Sequence, residues 1–277
     1  MKKTRITITL DEDLLQKIDK SVDREKIRNR SHAIEFLLSK SLKPKINQAV
    51  ILAAGKGVRW RPLTYEIPKA LIPIKGKPIL EHTINYLRNY EIRDIFVVVG
   101  SLGDKIKEYF GNGERFGVNL TYIEDVREKG TGPALKVVQP FIKKEPFVLW
   151  FVDEIAEINL DDLIDFHVSH SALSTIALSS VSDPLGLGTV KLEGSRVTEF
   201  SEKPIKKKIE SYLVNAGIFI LEQDIFNYLS AKTLSVEKEV FPVLAKEGKF
   251  FGYVFSGKWF DIGTSKNYAK AIKEWKK

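Results

Sequence analysis

Apolar positions change period along the chain, and each change predicts a different element. From Arg5 to Leu10 they alternate. Ile6, Ile8 and Leu10 share one face, Arg5, Thr7 and Thr9 the other, which predicts a half-buried strand. Asp11 is a good N-cap, and Leu14, Leu15, Ile18 and Val22 follow at helical spacing. Ser31 is expected to cap a second helix carrying Ala33, Ile34, Leu37, Leu38 and Leu42. Beyond Pro44 the pattern shifts to short continuous apolar runs separated by helical stripes. Strands are expected at 49–53, 95–99, 120–123, 147–152 and 174–178. Helices are expected at 79–90, 103–110, 133–142, 160–167 and 268–275. Such alternation predicts an α/β domain, a mixed, mostly parallel sheet with helices on both faces. Ligands of such sheets bind beyond the carboxyl ends of the strands. The chain thus divides into a small module, 1–44, and a large domain, 45–277, with a short linker around Pro44.

Composition narrows the class. The 277 residues are 43% hydrophobic, enough for a sizeable core. No apolar run approaches the roughly 18 residues of a membrane span. The basic, then alternating N-terminus lacks a signal-peptide core. Cysteine is absent, which excludes disulfides, thiol catalysis and thiolate zinc sites. A cytoplasmic enzyme that meets no membrane is the expectation. Net charge is +8, and residues 1–44 hold 11 Lys and Arg against 7 Asp and Glu, so half the excess lies there. That bias fits either a solvated face or an anionic partner for the N-terminal module.

The chemistry starts at 49–74. An apolar strand runs into Gly55 and Gly57, and Arg59 and Lys69 place positive charge beside the turn. Glycines there let peptide N–H groups approach a bound phosphate. The run Leu52-Ala-Ala-Gly-x-Gly-x-Arg59, then Arg61-Pro-Leu-Thr64 and Pro68-Lys-Ala-Leu71, resembles the signature of the sugar-1-phosphate nucleotidyltransferase family, and the resemblance extends over about 47–277. It implies a Rossmann-like nucleotidyltransferase fold and transfer of a nucleotidyl group from an NTP to a sugar-1-phosphate. Carried over residue by residue, Ala53, Ala54, Gly55, Gly57, Arg59, Gly130 and Thr131 would bind the nucleotide. Gly188, Glu202, Lys203 and Asn215 would bind the sugar phosphate. Asp153 and Asp261 would hold Mg2+. Arg59, Lys69 and Asp153 would carry catalysis. Asp125, Arg127 and Glu128 stand where family members differ by base. Three positions depart from the pattern: Val58 for threonine, Trp60 for an aliphatic residue and Val152 for glycine. The chain's end near Asp261 is expected to leave no room for the acyltransferase tail of some relatives.

The N-terminal pattern is similar to the ribbon-helix-helix (CopG/Arc-like) family, on Arg5-Ile-Thr-Ile-Thr-Leu10, the Asp11-Glu-Asp helix start and Asn29-Arg-Ser-His-Ala-Ile34. That resemblance implies a homodimer, or higher homo-oligomer, joined through paired strands. Arg5, Thr7 and Thr9 would meet base edges of double-stranded DNA, and Ser31 would lie at a helix start facing a phosphate. A pure dimerisation device remains open, as does a DNA-binding regulator whose large domain senses a nucleotide or sugar nucleotide without turnover.

Overall fold

The structure is a computed structural model describing residues 6–23, 25, 27–42, 46–125, 129–206 and 209–275. It falls into two compact units, Met1–Lys45 and Ile46–Lys277.

In the first unit, helix α1 (Glu12–Lys20) starts where Asp11 Oδ1 accepts the Leu14 N–H at 2.7 Å. Helix α2 spans Arg30–Leu42. Its cap is Asn29, which accepts the His32 N–H at 2.9 Å, so Ser31 is an exposed first-turn residue and not the expected cap. Arg30 forks onto Asp19 and ties the two helices together. Residues 6–10 form no strand within the chain, and Ile6 is 71% exposed. A strand needs a neighbour for its N–H and C=O groups, and none lies beside these residues among those described. Arg5 lies outside the described residues.

The second unit begins with β1 (Gln48–Ala53), the hairpin β2 (Pro73–Ile74) and β3 (Lys77–Pro78), and α3 (Ile79–Asn89). Then come β4 (Asp94–Val99), α4 (Gly103–Phe110), β5 (Asn119–Glu124), α5 (Thr131–Lys136), β6 (Phe147–Phe151) and β7 (Glu154–Ala156). After α6 (Leu160–Ser169) follow β8 (Ser174–Ser180), β9 (Thr189–Glu193), β10 (Arg196–Ser201) and β11 (Leu213–Leu221). Finally α7 (Phe241–Lys246), β12 (Phe250–Val254), β13 (Trp259–Asp261) and α8 (Ser265–Glu274) close the chain. The helix expected over 133–142 is shorter. It ends at Lys136, and a 3-10 turn, Gln139–Phe141, follows with Pro140 inside it.

Among the described residues one sheet has nine strands in the order β5-β4-β1-β6-β11-β8-β12-β10-β9. The β5-β4-β1-β6 half is parallel. β11 runs antiparallel to β6 and β8, and β10 antiparallel to β12 and β9. The sheet is therefore mixed, and its parallel order does not extend across it as expected. The alternation of strand and helix ends near residue 180; β9 and β10 are joined by a tight turn and so must run antiparallel.

Odd and even positions of the central strands bury on opposite faces. Ala49, Ile51, Val97, Val148 and Trp150 pack with Leu80, Ile84 and Phe110 of α3 and α4. Val50, Leu52, Phe96, Phe147 and Leu149 pack with Leu135 of α5 and Leu244 of α7. Continuous apolar strands are what burial on both faces requires. A smaller core, with Ile72, Ile79, Phe260, Ile262 and Trp275, anchors β13 beneath α8.

Candidate active site

β1 and β6 are parallel neighbours, so the segments leaving them emerge at the same edge of the sheet. After β1 the chain turns at Gly57, held at φ +57°, where an added Cβ would meet the Thr64 methyl at 2.8 Å. The Thr64 hydroxyl donates to the Gly57 carbonyl at 2.7 Å. Three successive 3-10 turns, Val58–Trp60, Leu63–Tyr65 and Lys69–Leu71, then bring Arg59 and Lys69 back to the sheet edge. Asp153 lies two residues past the end of β6, after Val152. The short pair β7 and β13 sets Asp261 opposite Glu154, and the Ile262 N–H donates to the Asp153 carbonyl at 2.8 Å. The two aspartates thus sit on adjoining backbone although far apart in sequence.

Arg59, Lys69, Asp153 and Asp261 line one cavity of about 310 Å³, with Ala54 and Gly55 in its wall. Gly130 and Thr131, at the start of α5, line it beside β1; Gly188, Glu202, Lys203 and Asn215 line it beyond β6. The Asn215 N–H donates to the Gly188 carbonyl at 2.9 Å, and Glu202 pairs with Lys203 at 3.0 Å. Ala53 and Gly57 do not line this cavity. Ala53 lines an adjoining one of about 350 Å³, with Lys56 and Arg61, and Gly57 serves the turn. Arg127 and Glu128 lie outside the described residues.

Lys69 Nζ meets Asp153 Oδ2 at 2.7 Å, largely shielded from water. Burial pushes the Asp153 carboxyl up, but the Lys69 ammonium and the Arg59 guanidinium hold it below the usual carboxylate range. Asp261 is raised, first by burial and then by the charge of Asp153. Glu154 is raised well above the ordinary value by burial, then by both aspartates. Its Oε2 is buried with no hydrogen-bond partner. Glu154 and Asp261 are raised by neighbouring negative charge, and the hard oxygens gathered here suit a divalent cation. Among the described residues no three acidic or histidine side chains are arranged to enclose an ion. An ion here would complete its shell from water and ligand oxygens, as magnesium does.

The sequence pattern missed three residues here. Glu154 follows Asp153 but matches no motif. Glu237 reaches the cavity from a turn before α7 and accepts the Thr131 hydroxyl. Gly263 lies under the Arg59 guanidinium, where a Cβ would come within 2.5 Å of Nη2. None carries a signal in its spacing, because each is defined by what folds against it.

Comparison with known proteins places these residues in a family. The family model described as nucleotidyl transferase matches residues 48–277. The chain belongs to the nucleotidyl transferase family. Its large domain is 31% identical over 227 residues to the mannose-1-phosphate guanyltransferase of Saccharomyces cerevisiae, covering 80% of this chain and 62% of that protein. It is 36% identical over 221 residues to the bifunctional protein GlmU of Methanococcus maripaludis, covering 78% of this chain and 51% of that one. The chain thus spans less than two thirds of the length of these relatives. The crystal structure of a putative glucose-1-phosphate thymidylyltransferase from Bacillus anthracis superimposes with a TM-score of 0.74 at 26% identity, over 82% of this chain and 94% of that one. Among the described residues no helix is long and apolar enough to cross a membrane.

Proposed function

We propose that the chain transfers a nucleotidyl group from a nucleoside triphosphate to a sugar-1-phosphate, releasing pyrophosphate. The observation that carries this is the single cavity shared by Arg59, Lys69, Asp153 and Asp261 with Gly188, Glu202, Lys203 and Asn215. A phosphate oxygen of the sugar-1-phosphate attacks the α-phosphorus in line, the new P–O bond forms, and pyrophosphate leaves from the opposite side. The nucleophile is already an anion, so no side chain has to take a proton. Catalysis then rests on positioning and on neutralising charge. Arg59 offers a fixed fork of donors to the triphosphate. Lys69 spends one donor on Asp153 and keeps two for phosphate oxygens. Glu202 and Asn215 hold sugar hydroxyls, and Lys203 faces the sugar phosphate. Asp153 and Asp261 would hold a divalent cation, Mg2+, which when bound neutralises charge on the phosphates.

Purified protein should release pyrophosphate when offered triphosphates and sugar-1-phosphates in all pairings. No turnover with any pair, together with DNA binding that responds to a nucleotide, would leave the regulator reading instead.

For residues 1–45 the proposal is a ribbon-helix-helix homodimer whose strands, near 5–10, pair between two copies. Ile8, Leu14, Phe36, Leu37 and Leu38 are each more than 40% exposed, apolar surface that a segment this short cannot bury alone. Thr7 and Thr9 are exposed, as DNA contacts would have to be.

A further inference from the structure

We propose that Glu237 reads the base of the nucleotide and that this base is guanine. The inference rests on the nucleotidyl-transfer reading and deepens it. The cavity crosses the ends of β1, β6 and β11, with the sugar-side residues at the β11 end. At the β1 end lie Leu52, Asp125, Ala134, Thr131 and Glu237, which leaves that end for the base; Asp125 is a second carboxyl there, and Glu237 is the one assigned to the base edge. Leu52 and Ala134 are apolar walls suited to the faces of a flat ring.

Glu237 is only 8% exposed, yet it lines this cavity. It stands in the short π-helical segment Val236–Val240. Its Oε2 accepts the hydroxyls of Thr131 and Ser235, the latter at 2.7 Å. Among the described residues no hydrogen bond reaches Oε1. The carboxylate is also held in place by its surroundings. The Val236 N–H donates to the Thr131 hydroxyl at 3.0 Å, and the Gly132 N–H to the Leu234 carbonyl at 3.0 Å. A Cβ at Gly132 would lie 2.5 Å from the Thr233 carbonyl oxygen, so the two segments cannot be parted by a side chain there.

A carboxylate oxygen only accepts hydrogen bonds. Guanine presents two adjacent donors, N1–H and the 2-amino group, and can give both to such an oxygen. Adenine and cytosine present one amino group beside a bare ring nitrogen, whose lone pair would face the carboxylate. Uracil and thymine present one N–H between two carbonyls, which would be repelled on both sides. Guanine is therefore the base whose edge matches a fixed acceptor without an opposing lone pair.

The test is calorimetric titration of the full chain, in magnesium-containing buffer, with GTP, ITP, ATP, UTP, dTTP and CTP, repeated with Glu237→Gln. GTP should bind most tightly, and ITP, which lacks the 2-amino group, more weakly. The glutamine variant keeps one acceptor for the Thr131 and Ser235 hydroxyls and turns a donor towards the base. It should weaken GTP by roughly tenfold or more, the size expected when a charge-assisted hydrogen bond is lost. UTP should bind the variant at least as tightly as the parent, because the repelling carboxylate is gone and the new amide donor can meet a uracil carbonyl, and the melting temperature should stay near the parent's. Tightest binding of ATP, UTP, dTTP or CTP, or an equal loss for every triphosphate in the variant, overturns the assignment to Glu237 and guanine. Turnover with such a base would leave the transfer reading standing, whereas no binding of any triphosphate would remove both.

Discussion

Asp153 is a buried carboxylate kept charged by its neighbours, and its role follows from that balance. Lys69 at 2.7 Å and Arg59 outweigh the burial that pushes its pKa up. Asp153→Asn removes the anion and leaves Lys69 partly buried without its counter-charge. We expect kcat to fall by roughly 100-fold or more, the scale of losing one electrostatic contact at a reacting centre. Far-ultraviolet circular dichroism should be unchanged. Gly263 makes a second case. Its missing side chain is the space occupied by the Arg59 guanidinium. In Gly263→Ala the new methyl would also lie 2.6 Å from Asp261 Oδ1, so the Arg59 guanidinium and the Asp261 carboxylate both have to give way. Steady-state kinetics should show a higher KM for the triphosphate, with little change in melting temperature. Arg59, Lys69, Asp153 and Asp261 were legible because they sit in long motifs after apolar strands. Glu237 and Gly263 were not, because a carboxylate before a helix or a glycine in a turn looks the same whether or not a ligand lies beside it.

At the scale of elements, the turn bearing Arg59 is joined to the strand bearing Asp261. The Trp60 indole N–H donates to the Ile262 carbonyl at 2.9 Å. Its ring meets Tyr268 of α8 edge-on, at 5.0 Å between centroids. Trp60→Phe keeps most of the apolar contact but leaves that carbonyl without its donor. Urea unfolding should show a loss of about 1–3 kcal/mol. The departure from an aliphatic residue at position 60 thus has a physical account: the indole supplies both a ring and a donor, and an aliphatic side chain supplies neither. The same scale explains the misjudged elements. A stripe of apolar residues over 133–142 does not reveal that the helix stops at Lys136 ahead of Pro140. Alternating residues near the N-terminus mark a face, but not whether a neighbouring strand exists.

Across the large domain, stability should fall with acid because of one buried histidine. His167 of α6 is 1% exposed, with Nδ1 on the Thr175 hydroxyl at 2.8 Å. Burial pushes its pKa down to about 4, from 6.5. The imidazole is therefore neutral near pH 7, and its 3.4 Å contact with Glu222 is a hydrogen bond and not an ion pair. At pH 7.5, well above 6.5, neither the folded nor the unfolded imidazole is appreciably protonated, and the full stability is present. As pH falls from 6.5 towards 4, the unfolded chain takes up a proton that the folded one refuses. This group should lower stability by about 2 kcal/mol between pH 7.5 and 5. Urea unfolding at both values, compared with His167→Gln, isolates it; a variant with an equally steep loss would refute the assignment. For the chain as a whole, removing residues 1–45 should convert a dimer to a monomer in light scattering. A deletion that leaves the dimer intact would place the contact elsewhere.

The order of apolar and polar residues was enough to specify two units, the strand-to-glycine turn and the acids at strand ends, because these depend on local periodicity and on side chains adjacent in sequence. It could not specify the mixed pairing of the other half of the sheet, the cap at Asn29, or the approach of Glu154, Glu237 and Gly263 to the cavity. Those depend on which segments pack together across long stretches of chain, and strand pairing, burial and charge repulsion act only once those segments have met.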